Sequence, residues 1–479
     1  MSGLCGVVSK TRCAELLYFG TDYHSHLGDQ LAGMTILGDT FRRKIHDITQ
    51  GPFKSRFQDF YPQMVGDLGI GIISDRDAQP LQIRSRFGTY SLAMTGLVEN
   101  KNDLVDLLFH RGSVFTETSR GEVNSVELIA KVIETGNSLL DGIDRIYDLI
   151  QGSASILILT PEGIYAARDR LGRDSLILAE NDGDYIVVSE MHAFANMGFR
   201  HVKDLGPGEI VLLKREGGYE ILRQPGEVKQ VCAFLWIYTG YPASTHEGIS
   251  VERVRERCGE FLARRDDVQA DFAAGVPDSG TGHAIGYAMG AGLPYRRAFM
   301  KYTPGYGRSY TPPSQEERDH IAKMKLIAVP EVIRGNRIVL CEDSIVRGTQ
   351  LKNFAIQKLW EAGAKEIHMR PACPPSMFPC KFALSTRAKE ELIARRAIKA
   401  LEGEEPENLD RYIDQDSPSY QRMLDKIAEL LNVTTLRYQR MEDMIAAIGL
   451  PREQLCTYCW TGQSLSYEYN PRQRELSLL

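Results

Sequence analysis

The sequence predicts two domains of mixed helix and strand, the second an α/β domain built on a parallel sheet, and three observations carry that prediction. The chain has 479 residues, more than one ordinary domain accommodates. Two stretches, beginning at Asp271 and at Arg337, each read as apolar strand, loop and helix. Hydrophobic residues make up 43% of the chain, ample for two buried cores.

The stretch from Arg337 to Gln350, RIVLCEDSIVRGTQ, is the most explicit. Ile338, Val339, Leu340 and Cys341 form a short apolar run suited to a buried parallel strand, and Leu351, Ala355, Ile356 and Leu359 then recur at helical spacing. Ligands of open α/β sheets collect at the carboxyl ends of strands, where a helix N-terminus offers unpaired N–H groups to an anion. Ser344, Gly348 and Thr349 line such a pocket. Glu342 and Asp343 repel a phosphate, so they are read as acceptors for sugar hydroxyls or as holders of a hydrated Mg²⁺. Together these features predict a ribose 5-phosphate site. An acidic turn capping a helix is the plainer alternative. The chain contains no G-x-x-x-x-G-K-[ST], which argues against an ordinary nucleotide triphosphatase.

The earlier stretch, Asp271 to Ala288, places Gly275, Pro277, Asp278 and Ser279 in a loop before a helix of small residues. A tight turn is the alternative there. The spacing of Gly280, Gly282 and Gly286 is not G-x-G-x-x-G, so dinucleotide binding is poorly supported. Lys301 to Gln315, KYTPGYGRSYTPPSQ, is rich in Gly, Pro and Tyr and carries Lys301 and Arg308. Ser314 and Glu317 form a capping box for a helix running toward Lys325. A loop that ends on a firm helix suits a lid that closes over substrate and excludes water.

Charge and hydropathy narrow the function class. A net charge of −6 with no Lys/Arg cluster argues against nucleic acid as a partner. No apolar run approaches the ~20 residues that span a bilayer, and MSGLCGVVSK lacks a basic region followed by an apolar core. Cytoplasm is the expected compartment, where nine cysteines are thiols or ligands rather than disulfides.

The string E-D-S-I-V-R-G-T resembles the phosphoribosyl pyrophosphate (PRPP) motif of type I phosphoribosyltransferases, and V-x-x-x-D-S-I-V-R-G-T resembles that of the amidophosphoribosyltransferases. Cys5-Gly6-Val7-Val8, Gly69-Ile70-Gly71, Ala167-Arg168-Asp169, Leu171-Gly172 and the DLGPGE of Asp204 to Glu209 extend the resemblance through the N-terminal half. It implies an N-terminal-nucleophile glutaminase-like domain, an αββα sandwich, over 5–229. A type I phosphoribosyltransferase domain with a parallel sheet follows over 230–384, then a charged helical extension over 385–455 and a tail over 456–479. Residues 1–4 are a propeptide in this reading, because Cys5 acts as nucleophile only when its own α-amine is free to serve as base.

The resemblance further implies a pentosyltransferase of purine synthesis in which an amine, from glutamine or ammonia, displaces pyrophosphate from PRPP. Glu342 and Asp343 hold ribose hydroxyls, and Ser344, Ile345, Val346, Arg347, Gly348 and Thr349 bind the 5-phosphate. Asp278, Ser279 and Gly280 bind pyrophosphate, with Arg308 and Lys325 as further contacts, and Ser279, Glu342 and Asp343 hold Mg²⁺. Cys232, Cys380, Cys456 and Cys459 resemble the ligands of the [4Fe–4S] cluster in one branch of the family, a donor set that also suits zinc. A homo-oligomer, dimer or tetramer, is implied.

The glutamine pocket departs from the family pattern. H-R-G-Q appears as His26-Leu27-Gly28-Asp29, and G-H-x-R-Y as Gly71-Ile72-Ile73-Ser74-Asp75, so both arginines are missing. H-N-G-N appears as Met94-Thr95-Gly96-Leu97, keeping only Gly96 of the oxyanion hole, and the aspartate of S-D-T-E falls at Ser125. Two readings stand: a glutaminase fold with Cys5 kept as packing, or one with changed chemistry. A non-catalytic PRPP or nucleotide sensor is the remaining alternative.

Overall fold

The computed structural model describes residues 2–119, 121–302, 324, 326–349, 351–383 and 388–465. They form two compact units, 2–232 with 381–383 and 465, and 233–380 with 388–464. No described helix is long and apolar enough to cross a membrane.

The two large sheets of the first unit hold thirteen strands, which in chain order are β1 (Gly3–Val8), β2 (Leu31–Leu37), β3 (Phe41–Asp47), β4 (Leu68–Ser74), β5 (Leu81–Ser85), β6 (Gly88–Val98), β7 (Gly152–Thr160), β8 (Gly163–Ala167), β9 (Ile177–Asn181), β10 (Asp184–Val188), β11 (Arg200–Asp204), β12 (Ile210–Lys214) and β13 (Tyr219–Arg223). One sheet runs β11-β9-β10-β1-β4-β2-β3 and the other β13-β12-β8-β7-β6-β5. Strand alternation in β1 sorts its side chains between two cores. Leu4 and Val8 join Leu157, Leu159 and Leu213 between the sheets, whereas Cys5 and Val7 face α1 (Ala14–Asp22).

The outer face of the second sheet packs Met94, Ile156 and Ile158 against α2 (Lys101–His110), α3 (Ser125–Ile133) and α4 (Leu139–Leu149). Asn124 caps α3 through Val126 N–H at 2.8 Å, and Ser138 caps α4 through Asp141 N–H at 3.1 Å. The layers are therefore helix, sheet, sheet, helix, the αββα order expected from the resemblance.

The second unit holds a parallel sheet of β14 (Phe272–Gly275), β15 (Arg337–Glu342), β16 (Glu366–Pro371) and β17 (Thr435–Leu436), paired in that order. Its principal helices are α5 (Val251–Arg264), α6 (Gly280–Ala291), α7 (Ile393–Glu402), α8 (Pro418–Leu431) and α9 (Met441–Ile448). Gly275 pairs with Cys341 and Glu342 with Pro371, so the carboxyl ends of three strands come level and their loops open on one edge. Arg370 and Asp266, both almost fully buried, form an ion pair in which Nη2 reaches Oδ1 at 3.1 Å, and Tyr287 O–H donates to the same carboxylate at 2.7 Å.

The chain beyond residue 388 packs on this sheet. Ile393, Ala397, Ile398, Tyr412, Met423, Ile427 and Leu431 share one core with Ile338, Leu340, Ile367 and Met369, and β17 completes the sheet. The charged stretch expected to be a helical extension over 385–455 is thus integral to the second unit. Most of its charges face water while an apolar stripe of α7 and of α8 joins the core of the sheet.

Candidate functional site

In the second unit two loops meet at the ends of β14 and β15. Gly280 starts α6 so close to β15 that a side chain there would stand 2.5 Å from Cys341 O. Across that contact Ser279 Oγ donates to Glu342 Oε1 at 3.2 Å. Asp343 N–H donates to the same oxygen at 3.3 Å, and Ser344 Oγ donates to Asp343 Oδ1 at 2.6 Å. Asp278, on the exposed side of its loop, is ion-paired with Lys301. The Pro277–Asp278 peptide is cis.

The two carboxylates are themselves buried, Glu342 at 8% and Asp343 at 4% exposure. Burial, reinforced by the neighbouring Asp343, pushes the Glu342 carboxyl well above its ordinary value. Among the described residues no lysine or arginine is ion-paired with either. A buried pair of hard oxygen donors with Ser279 beside it is the donor set of a hydrated divalent cation and of sugar hydroxyls.

The loop that follows is shaped by contacts made far downstream. Ile345 is buried in the core, so its backbone, not its side chain, is what can face a ligand. Val346 C=O accepts from Ile393 N–H at 2.8 Å, and Arg347 pairs with Glu391 at 2.6 Å. Gly348 has φ +74, and a Cβ there would collide with Ile393 Cδ1. Only glycine holds that turn. Gly348 C=O accepts from Lys352 N–H at 2.9 Å, opening the helical segment 351–361 with Thr349 exposed at its start. The N–H groups of 344–349 and the hydroxyl of Thr349 remain for an anion, the Ser344 hydroxyl being given to Asp343. Arg308, Lys325 and the Ser314–Glu317 capping box lie outside the described residues. The Val346–Ile393 tie and the Lys301–Asp278 pair had no local signal, since both join residues remote in sequence.

In the first unit Cys5 is the third residue of a central strand, paired with Gly71 on one side and Val188 on the other. Its Sγ lies beneath α1 against Gly20, and burial pushes its thiol far up. Residues before it are part of the fabric. Gly3 pairs with Ile73, Leu4 N–H donates to Ser189 Oγ at 3.0 Å, and Leu4 C=O accepts from Ser189 N–H at 3.1 Å. Leu4 is fully buried, a side chain whose removal would cost about 1.5–3 kcal/mol. With Met1–Leu4 attached, the Cys5 nitrogen is an amide.

The positions that resemble a glutamine clamp make other contacts. Ser74 Oγ donates to Asp77 C=O at 2.9 Å, and Asp29 N–H donates to Asp75 Oδ1 at 3.1 Å. Arg76, half-buried, forms no ion pair among the described residues. Gly96, at φ +111, sits in β6 opposite Ala154, and Thr95 Oγ1 donates to Ser2 C=O at 3.1 Å. Glu127 accepts from Thr116 N–H and Glu117 N–H at 3.0 and 2.8 Å, folding a loop onto α3.

By contrast the Arg168–Asp169 turn is complete. Arg168, 1% exposed, donates to Asp174 C=O at 2.8 Å and Gly172 C=O at 2.7 Å, and Asp169 accepts from Leu171 N–H and Arg173 N–H at 3.1 and 3.0 Å.

Three of the four singled-out cysteines belong to the second unit. Met377 N–H and Phe378 N–H donate to Cys459 C=O at 2.8 and 3.0 Å, bringing the Cys380 segment to the C-x-x-C, and Ala233 N–H donates to Cys456 C=O at 3.3 Å. Cys232 ends the first unit, directly before Ala233. Cys13, Cys258, Cys341 and Cys373 are fully buried.

Residues 66–196 match the family model of a glutamine amidotransferase domain. The chain is 30% identical over 473 residues to the amidophosphoribosyltransferase of Methanothermobacter thermautotrophicus, covering 96% of this chain and 93% of that one. It is 34% identical over 406 residues to the enzyme of the same name from Archaeoglobus fulgidus, covering 82% and 87%. The glutamine PRPP amidotransferase of Bacillus subtilis, solved with ADP and GMP, superposes with a TM-score of 0.83 at 28% identity, covering 98% of each chain.

Proposed function

The chain belongs to the amidophosphoribosyltransferase family, and from that premise we propose that its second unit carries an amine to C1 of PRPP, displacing pyrophosphate to give 5-phosphoribosylamine in purine biosynthesis. The observation that carries this reading is the contact of Ser279 with Glu342 at 3.2 Å, which joins a pyrophosphate-sized loop to a ribose-sized acidic pair.

Roles follow from position. Glu342 and Asp343 accept hydrogen bonds from the ribose hydroxyls and fix the ring. The N–H groups of 344–349 and the Thr349 hydroxyl hold the 5-phosphate at the start of segment 351–361. Ser279 and the N–H of Gly280, at the N-terminus of α6, hold the leaving pyrophosphate. Lys301, beside Asp278, offsets its charge. As the C1–O bond lengthens, positive charge builds on the ring, and carboxylates that hold the ring's hydroxyls stabilise it. The incoming amine forms the C–N bond and loses a proton as pyrophosphate departs. Mg²⁺ on Ser279, Glu342 and Asp343, when bound, supplies further neutralisation of the pyrophosphate.

A second reading concerns the source of the amine. Cys5 has an amide nitrogen and a buried thiol, and Ser74 and Ser125 stand where the resemblance expects the residues that grip glutamine. These observations favour free ammonia unless the chain is cut before Cys5. Protein offered PRPP and Mg²⁺ tests both readings: pyrophosphate release with ammonia and not glutamine supports them together, and absence of release with either amine overturns the first. Mass spectrometry of the N-terminus fixes whether Cys5 is ever exposed as an α-amine.

The four cysteines Cys232, Cys380, Cys456 and Cys459 are read as the ligands of a [4Fe–4S] cluster, supported by the convergence of 377–380 and 233 on the C-x-x-C. Four thiolates without an open position give it a structural role. The visible spectrum of anaerobically purified protein tests that. A cytoplasmic homo-oligomer completes the reading on family grounds, with light scattering to distinguish dimer from tetramer.

A further inference from the structure

At the end of β10 and just beyond α1, the first unit gathers three histidines and a glutamate that the proposed reaction does not use. His26 Nε2 lies 3.2 Å from Glu190 Oε2, and His192 Nδ1 lies 3.3 Å from the same oxygen. All three ligand atoms fall within 4.8 Å of one another.

The hydrogen bonds behind these atoms fix which nitrogen faces inward. His26 Nδ1 and His192 Nε2 both meet the Tyr23 carbonyl, at 3.2 and 2.9 Å. A carbonyl only accepts, so each of those nitrogens carries the proton. Neutral imidazoles then present their lone pairs, on His26 Nε2 and His192 Nδ1, to Glu190. One backbone oxygen thus orients both rings, the arrangement that positions metal-binding histidines.

Glu190 is held as firmly. His24 donates from Nδ1 to Gly20 C=O at 2.7 Å and accepts at Nε2 from Glu190 N–H at 3.1 Å, which requires a neutral ring. Glu190 itself is 1% exposed.

Two accounts of the cluster compete, an ion pair and a metal site, and the orientation of the rings separates them. Charge-assisted N–H···O bonds between imidazolium and carboxylate close to about 2.7–2.9 Å. Ligands of a tetrahedral ion at about 2.0–2.1 Å stand about 3.3 Å from each other. The separations of 3.2 and 3.3 Å accommodate such an ion, and with both outer nitrogens protonated against the Tyr23 carbonyl an ion pair would need two imidazolium rings on one buried carboxylate, which a metal does not. Two imidazoles with one carboxylate are a zinc donor set, and three protein ligands leave the fourth position open. His26, whose side chain is 25% exposed, gives that position access to solvent.

We propose that His26, Glu190 and His192 form a site for one Zn²⁺, with an open coordination position, at the end of the sheet that carries Cys5. Neither the PRPP loop nor the four cysteines take part in it.

Cobalt is the probe, because it reports its ligands by colour and replaces zinc in such sites. The full chain, stripped with chelator and kept anaerobic, is titrated with Co²⁺ while its visible spectrum is recorded. Expected is one equivalent with the strong d–d bands of a tetrahedral site and no thiolate-to-cobalt charge transfer, displaced by Zn²⁺. In His192→Gln and Glu190→Gln that equivalent disappears, and any cobalt held by cysteine persists with its charge-transfer band. Should a variant fail to fold, X-ray absorption of zinc-loaded wild-type chain decides instead: a zinc shell of nitrogen and oxygen alone supports the site. Cobalt bound only with thiolate bands, or tetrahedral bands unchanged in both folded variants, overturns it.

Discussion

In the second unit the loop 342–349 holds an acidic pair, a serine and a positive-φ glycine in one connected arrangement, while in the first unit the sandwich and the Arg168–Asp169 turn stand complete and the residues that resemble a glutamine clamp make other contacts. Ser74 and Ser125 stand where the resemblance expects the arginine and the aspartate of a glutamine clamp, and Ser74 spends its hydroxyl on Asp77 C=O. Arg168 and Asp169 satisfy backbone groups and so serve the fold whatever the pocket binds. The difference teaches that resemblance in a motif can report either a turn or a reaction. Which of the two it reports depends on what the side chain touches.

The largest expected effect tests how differently the units are held. The core of the second is keyed by the buried Arg370–Asp266 pair, and Arg370→Met should destabilise that unit by about 3–5 kcal/mol, read as a shift of its transition in denaturant. Burial alone would push Asp266 up, but the Arg370 hydrogen bonds hold it below its ordinary 3.8. The folded unit therefore has, above pH 3.8, stability that drains as pH falls through the lower folded value. Arg370→Met should remove that acid-side slope. An unchanged acid profile would break the contrast.

Next in size, Asp343→Asn should lower pyrophosphate release by roughly a hundredfold to a thousandfold with any amine, by analogy with loss of one preorganised electrostatic contact. A loss confined to one amine would move the acidic pair out of the PRPP site. Gly348→Ala adds a Cβ at φ +74 against Ile393 and should cost about 1–3 kcal/mol, seen as weaker thermal protection by PRPP. The smallest effect belongs to the first unit. Cys5→Ser should leave ammonia-driven release unchanged, and a large fall in glutamine-driven release would show that the altered pocket still works.

Legibility in the sequence followed the range of the interactions. Strands β14 and β15 and their loops could be read because strand, turn and helix signals lie within some twenty residues of each other, roughly the reach of local pattern. The role of 393–431 could not, because charge dominates its composition and its apolar stripe has meaning only once Ile393 meets Val346 and Gly348. The His26, Glu190 and His192 cluster was hidden for the same reason. H-x-H at 24–26 and E-x-H at 190–192 are short and unremarkable, and only the antiparallel sheet brings them together. Leu4 illustrates a third case: four residues before a cysteine look removable in a string, yet two of them are strand.

That the edge strand β17 and helices α7 and α8 finish the sheet and brace the phosphate loop has a consequence for synthesis on the ribosome. The first unit can fold once its last strand has emerged, since every strand of its sandwich lies before residue 224. The loop 342–349, although translated earlier than its supports, stays without them until Leu436 has cleared the exit tunnel. A chain truncated anywhere in 388–436 would carry the whole motif and still lack the structure that shapes it.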